Sequence, residues 1–432
     1  IHSTSNYFNE DSTQKNTYDN AIDNGSTYIT GQHNSELNKS TIDQTISQIN
    51  TAKNDLHGAE KLQRDKGTAN QEIGQLGYLN DPQKSGEESL VNGSNTRSEV
   101  EEHLNEAKSL NNAMKQLRDK VAEKTNVKQS SDYINDSTEH QRGYDQALQE
   151  AENIINEIGN PTLNKSEIEQ KLQQLTDAQN ALQGSHLLEE AKNNAITEIN
   201  KLTALNDAQR QKAIENVQAQ QTIPAVNQQL TLDREINTAM QALRDKVGQQ
   251  NNVHQQSNYF NEDEQPKHNY DNSVQAGQTI IDKLQDPIMN KNEIEQAINQ
   301  INTTQTALSG ENKLHTDQES TNRQIEGLSS LNTAQINAEK DLVNQAKTRT
   351  DVAQKLAAAK EINSAMSNLR DGIQNKEDIK RSSAYINADP TKVTAYDQAL
   401  QNAENIINAT PNVELNKATI EQALSRVQQA QQ

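Results

Sequence analysis

Between Ser98 and Lys124 the apolar side chains Val100, Leu104, Ala107, Leu110, Met114, Leu117 and Val121 follow one another at gaps of 4, 3, 3, 4, 3 and 4. That spacing keeps one face apolar on a helix and on no strand. No Gly or Pro interrupts the run, so an unbroken helix roughly 40 Å long is predicted, at about 1.5 Å per residue. Such a helix outruns any small bundle that can be built around it. It is expected to close one bundle and open the next. Ser98 and Glu101 stand at the spacing of a capping box that would start it.

The run returns at a fixed period of 126 residues, seen in Leu117-Arg118-Asp119, Leu243-Arg244-Asp245 and Leu369-Arg370-Asp371. Met114, Met240 and Met366 keep the same step. So do Tyr18-Asp19, Tyr144-Asp145, Tyr270-Asp271 and Tyr396-Asp397, and Asn38-Lys39, Asn164-Lys165, Asn290-Lys291 and Asn416-Lys417. A period without slippage marks an array of repeated units.

Each period reads as two three-helix units. In the second period, Leu182-Gln183-Gly184 is expected to stop one helix and Ser185 to cap the next, over about 186–203. Its inward residues are Leu188, Ala191, Ala195, Ile199 and Leu202. Asn206-Asp207 is expected to cap a second helix to about Gln221, and Pro224 to open the third, long one. The other unit joins the far end of a long helix to two shorter ones. A turn around Asn135-Asp136-Ser137 precedes a helix over about 139–158, with Tyr144, Leu148, Ala151 and Ile155 inward and Gly159-Asn160-Pro161 ending it. Asn164, with Glu167 three residues on, is expected to cap the last helix, burying Ile168, Leu172, Leu175, Ala178 and Leu182. Residues 1–57 carry this helix pair without a preceding long helix.

Composition narrows the picture. In 432 residues the hydrophobic fraction is 31% and the aromatic fraction 3%, with no Trp. One large core cannot be built from that, whereas thin bundles need only a stripe per helix. Disorder is the competing reading of so polar a chain, but a disordered tail has no reason to space its apolar residues. The net charge of −20 argues against nucleic acid and anionic membranes as partners, since both need basic patches. Zero Cys excludes disulfides and thiolate chemistry, and is ordinary for a Gram-positive surface protein. No apolar run is long enough to span a membrane, and Ile1 begins no signal peptide. Because 432 residues cut the repeat mid-unit at both ends, an excerpt of something longer is expected.

Glycines are unevenly placed. Gly67, Gly74, Gly77, Gly86 and Gly93 crowd the stretch 67–93, while 193–219 has none and 319–345 only Gly327. Each Gly inside a helix costs up to about 1 kcal/mol relative to Ala, against roughly 3–5 kcal/mol from so small a core. The bundle spanning about 59–110 is therefore expected to be the least stable.

No residue set has catalytic spacing, and no phosphate loop, calcium loop or His-Glu-x-x-His occurs. No catalytic, cofactor-binding or metal-binding residue is expected, and no ligand-binding residue is assigned. His140 and His268 read as solvated surface residues. Glu189-Glu190 and Glu262-Asp263-Glu264 read as helix-end and solvent-face charges, because acid–base chemistry needs a pocket that shifts pKa values. The Tyr144 set reads as core anchors with the hydroxyl at the rim. The recurring Arg118-Asp119, Arg244-Asp245 and Arg370-Asp371 read as an ion pair or cap at the bundle junction, with a ligand patch as the alternative.

These residues carry a resemblance. The unit with Ser131-Asp132-Tyr133-Ile134-Asn135, Tyr144-Asp145-Gln146-Ala147-Leu148, Leu163-Asn164-Lys165 and Ala178-Gln179-Asn180-Ala181-Leu182 resembles a FIVAR module. The unit from Leu187-Leu188-Glu189-Glu190-Ala191-Lys192-Asn193 to about Leu230 is similar to a GA module, a three-helix fold known for albumin binding. Their alternation over the whole chain resembles the Ebh-type giant staphylococcal cell-wall proteins. The resemblance implies a wall-anchored, rod-like protein with a structural role in the envelope and contact with fibronectin or other extracellular matrix. Albumin-binding GA modules usually have an aromatic-rich start to the second helix. Here that place reads Ala208-Gln209-Arg210-Gln211-Lys212, Pro82-Gln83-Lys84-Ser85-Gly86 and Ala334-Gln335-Ile336-Asn337-Ala338, without an aromatic, so a strong albumin site is not expected.

The expected fold is all-α: tandem three-helix bundles joined through long shared helices into an elongated rod. The expected divisions are a partial FIVAR-like pair at 1–57, GA-like bundles at 58–110, 185–236 and 311–362, and FIVAR-like bundles at 111–184, 237–310 and 363–432. The function these imply is a non-enzymatic cell-surface spacer and adhesin, monomeric, with weak repeated matrix contacts. A dedicated albumin- or fibronectin-binding array is the alternative.

Overall fold

The computed structural model describes residues 1–31 and 38–432, and every regular element among them is a helix. The chain forms two compact units, one of Ile1–Ala195 with Gln218–Asn227 and one of Ile196–Val217 with Gln228–Gln432.

In the first unit the long helix is continuous from Arg97 to Ala122. Its first half packs with Gly58–Gly74 and Asp81–Gly93 around Leu62, Ala69, Ile73, Val91, Val100 and Ala107. Its second half places Leu110, Met114 and Leu117 in another core, with Tyr144 and Leu148 of Thr138–Ile155 and Ile168 and Leu175 of Lys165–Asn180. Two cores thus share one backbone segment with no hinge between Ala107 and Leu110. Each fully buried Leu, Ile or Met stabilises its bundle by about 1.5–3 kcal/mol. Among the described residues, the helix pair Ser12–Ile29 and Lys39–Asn54 packs around buried Tyr18, Ala52 and Leu56.

The second unit repeats the arrangement. Arg349–Ile373 contributes Val352 and Ala359 to a core with Ile325 and Val343. It contributes Ile362, Met366 and Leu369 to another, with Tyr396, Leu400, Ile420 and Val427. Ile236, Met240 and Leu243, from helix Ile223–Gly248, pack with Tyr270, Val274, Ile294 and Ile301.

Several helix ends differ from the sequence expectation. The cap of the long helix lies two residues before Ser98: the Thr96 hydroxyl accepts from the Glu99 N–H, and the Glu99 carboxylate accepts from the Thr96 N–H. Thr96 has the extended backbone that an N-cap needs, whereas Ser98 already lies inside the first turn. The 139–158 helix ends at Ile155, before Gly159, and buries Ile154 in place of Ile155. The helices expected over 186–203 and to Gln221 run Gly184–Ile199 and Asp207–Ala219. Gly184 therefore starts a helix and does not stop one. A Cβ there would lie 2.5 Å from the Asp132 carbonyl and 2.6 Å from the Asp136 N–H. Backbone passes where a side chain would stand. Gly58 and Gly310 meet the same close approach.

Candidate functional site

Short polar segments that lead into the GA-like bundles make up the most elaborate constellation in the chain. Asn9 Oδ1 accepts from the Arg97 N–H at 3.0 Å while its Nδ2 donates to the Asn95 carbonyl at 3.0 Å. Asn135 makes the same pair with Ile223 at 2.9 Å and Gln221 at 3.0 Å. Asn261 makes it with Arg349 and Lys347, both at 3.0 Å. One carboxamide thus satisfies a free donor at a helix start and the carbonyl two residues before it. The carboxylate after each Asn ties the entry of the first GA-like helix. Glu10 accepts from the His57 N–H, Asp136 from the Gln183 N–H and Glu262 from the Ser309 N–H, each at 2.5 Å.

Two of these junctions are wired with charge. Glu262 has a fully buried carboxylate that meets Lys313, which also reaches Asp263 at 2.5 Å; Asp263 in turn holds Arg349. Burial works against the Glu262 charge, but Lys313 and the Ser309 and Asp263 N–H groups hold its pKa down at about 2. Glu10, Lys61, Asp11, Arg97 and Asp65 form the matching network in the first copy. In the second copy Leu187, Ala191 and Ile223 occupy the places of Lys61, Asp65 and Arg97, and Asp136 pairs with His140 at 3.0 Å. Glu262 is thus a buried structural acid and not the solvent-face charge the sequence suggested. Glu189 and Glu190 are exposed as expected.

The exits of the GA-like bundles are clamped as well. Asn80, Asn206 and Asn332 each exchange bonds with Gln83, Gln209 and Gln335 in a capping arrangement. The same glutamines donate to carbonyls of the next bundle: Gln83 to Thr162 at 2.9 Å, Gln209 to Ile288 at 2.9 Å and Gln335 to Glu414 at 2.8 Å. All three glutamines are buried.

The recurring arginines are caps. Arg118 Nε donates to the Tyr78 carbonyl at 2.8 Å, Arg244 to Ala204 at 2.9 Å and Arg370 to Ser330 at 2.9 Å. Asn111, Asn237 and Asn363 accept from the N–H of those same three loop residues. Asp119 pairs with Lys115 and not with Arg118. The recurring tyrosines are core residues: Tyr144 is fully buried, and burial pushes its hydroxyl up to about 12. Each has a second Tyr against its edge, with the Tyr133 and Tyr144 ring centres 6.0 Å apart. The outer hydroxyl donates to the recurring Asp, Tyr133 to Asp145 at 2.9 Å and Tyr259 to Asp271 at 2.6 Å. That bond explains why Asp follows each core Tyr.

The sequence reading missed a buried acid in every GA-like bundle. Glu87 and Glu339 are each 2% exposed at the same place on the second helix, where the middle copy has Ala213. The middle copy instead buries Asp233 on its third helix, where the others have Ala107 and Ala359. Burial, with Glu106 nearby, lifts Glu87 to about 7, and burial likewise raises Asp233 and Glu339. A lone Glu inside a polar helix has no periodic signature, so only the fold reveals it. Among the described residues no group of His, Asp and Glu could hold a metal ion, and no helix is long and apolar enough to cross a membrane. His140 and His268 both keep partly exposed rings.

A FIVAR domain model matches residues 1–57, 113–183, 239–309 and 365–432, and a GA module model matches 59–113, 185–239 and 311–365. The extracellular matrix-binding protein ebh of Staphylococcus aureus strain MW2 is 35% identical over 99% of this chain. EbhA of strain Mu50 is 34% identical over 99% of it. The chain spans only 4% and 6% of the length of these two relatives. The crystal structure of an EbhA fragment from Staphylococcus aureus, residues 756–1003 of that protein, aligns with a TM-score of 0.53 at 26% identity, over 57% of this chain and 98% of the fragment.

Proposed function

Because this chain belongs to the FIVAR-domain family, with GA modules between its FIVAR domains, we propose that it is a non-enzymatic, surface-displayed spacer and adhesin. It holds weak contact sites at fixed separations and presents them to extracellular matrix. The observation that carries this reading is the helix Arg97–Ala122, which places Val100 and Ala107 in a GA core and Leu110 to Leu117 in a FIVAR core without a break. A shared helix removes the flexible linker at which an array bends, so each module leans on its neighbour. Repetition converts low single-site affinity into avidity. The relatives named for matrix binding make an extracellular matrix protein such as fibronectin the first partner to test.

The start of the second GA helix supports spacing over albumin capture. Gln83, Gln209 and Gln335 are buried against the next module's carbonyls, so these residues hold the array together.

Small-angle scattering of the chain tests the proposal. A stiff, extended particle with a bundle-sized cross-section is expected, and a compact one overturns it. Surface-bound fibronectin should retain the whole chain more strongly than a single module pair.

A further inference from the structure

In the first unit, helix Asp81–Gly93, the first half of helix Arg97–Ala122 and the loop before helix Lys165–Asn180 enclose an open groove of about 800 Å³. Leu90 and Leu163 provide apolar walls, and Glu87 lines it as a side chain only 2% exposed. Leu163 reaches its place because Gly86 opposite has no side chain: a Cβ there would stand 2.8 Å from a Leu163 methyl. The rim carries Glu101, Glu102 and Glu106 against a single Lys165. Glu87 Oε2 has no hydrogen-bond partner and is enclosed, so a donor in the groove reaches it only when the Glu87 side chain turns toward the groove it lines. A buried carboxylate oxygen left without a donor is costly, and a cationic donor recovers most of that cost.

We propose that this groove receives a lysine side chain from an extended basic peptide, its aliphatic stem lying between Leu90 and Leu163 and its ammonium meeting the free oxygen of Glu87. Lysine suits the shape because it carries three donors at the tip of a slender apolar stem. A metal ion suits it less, since the described residues form no metal-holding group. The chain itself supplies a comparison. The third GA module keeps Glu339, Leu342 and Leu415 at the corresponding places. There Lys355, standing where the first module has His103, offsets part of the rise that burial gives Glu339, as His103 does for Glu87. That module has Ala353, Gln354 and Ala358 in place of the rim acids, and the second has Ala213 in place of the buried one. The site therefore belongs to the first module. It deepens the matrix-contact reading, on which only the source of the peptide rests.

Methyl NMR of the full chain tests it, with pentalysine as probe and its fully Nε-acetylated form as control. Saturable shifts are expected at Leu90 and Leu163 with pentalysine only, while Leu342 and Leu415 stay still. Glu87→Gln should weaken binding at least tenfold, roughly the value of a lost charged hydrogen bond. Glu106→Gln, on the exposed rim, should weaken it about twofold to threefold. Equal binding by both variants, equal shifts in all three modules, or the same shifts from calcium at lower concentration would overturn the proposal. Failure here leaves the scattering test of the spacer untouched.

Discussion

Asn135 and Ile223 lie 88 residues apart, yet the Asn135 side chain accepts the Ile223 N–H at 2.9 Å and so fixes where a long helix begins. Removing a buried partner costs about 1–3 kcal/mol for each group left unsatisfied. Asn135→Ala should therefore speed hydrogen exchange of the amides at 223–226 by roughly ten- to a hundredfold.

Glycines divide into those that make room and those that do not. Gly184→Ala drives a Cβ into the Asp132 carbonyl and the Asp136 N–H, so the backbone must move and urea unfolding should shift to lower concentration. Gly67 sits inside helix Gly58–Gly74 with nothing within 4 Å of a Cβ. Gly67→Ala should stabilise the first GA module by up to about 1 kcal/mol. Limited proteolysis of the parent chain should cut first within 59–110, and later in the Gly67→Ala variant.

Acid should act on the two kinds of buried carboxylate in opposite directions. Glu262 has a folded pKa of about 2 against an ordinary 4.5, so its contribution is complete above pH 4.5 and is lost as pH falls through that value toward 2. Glu87 has a folded pKa of about 7 against the same 4.5. Its charge therefore penalises the fold fully above pH 7, and the penalty disappears as pH falls to 4.5. The difference is on the order of 3 kcal/mol. Hydrogen exchange, corrected for intrinsic rates, should show the first GA module firmer at pH 5 than at pH 7.5. Glu87→Gln should remove that dependence, and the junction at Glu262 should loosen only below pH 4.5.

The loop residue Ala204 is held at both ends, its N–H by Asn237 at 2.9 Å and its carbonyl by Arg244 at 2.9 Å. Asn237→Ala and Arg244→Leu should each destabilise by about 1 kcal/mol. Because both act on one peptide segment, the double mutant should lose less than the sum. A double-mutant cycle in urea reads the coupling, expected at about 0.5 kcal/mol or more.

Helix content, the 126-residue period and the apolar stripe of the long helix were legible in the chain itself. So was the role of Tyr144 as a core anchor, although its hydroxyl is enclosed and the one nearer the rim belongs to Tyr133. Each depends on residues a few positions apart, or on exact repetition, and local spacing reports both. The Thr96 cap was within reach, since Thr96 and Glu99 stand three apart, but Ser98 and Glu101 offer the same spacing. Only the extended backbone of Thr96 separates them.

The junctions belong to the tertiary structure. Asn135 meets Ile223, Gly184 clears Asp132, and Gln209 reaches Ile288, each across a separation that no helical period encodes. The buried acid is the clearest case, moving from Glu87 on one helix to Asp233 on another between copies. Composition and periodicity specify which face of a helix is apolar. Which polar group becomes enclosed depends on how neighbouring helices close over it, because desolvation is a property of the packed surroundings and not of the residue.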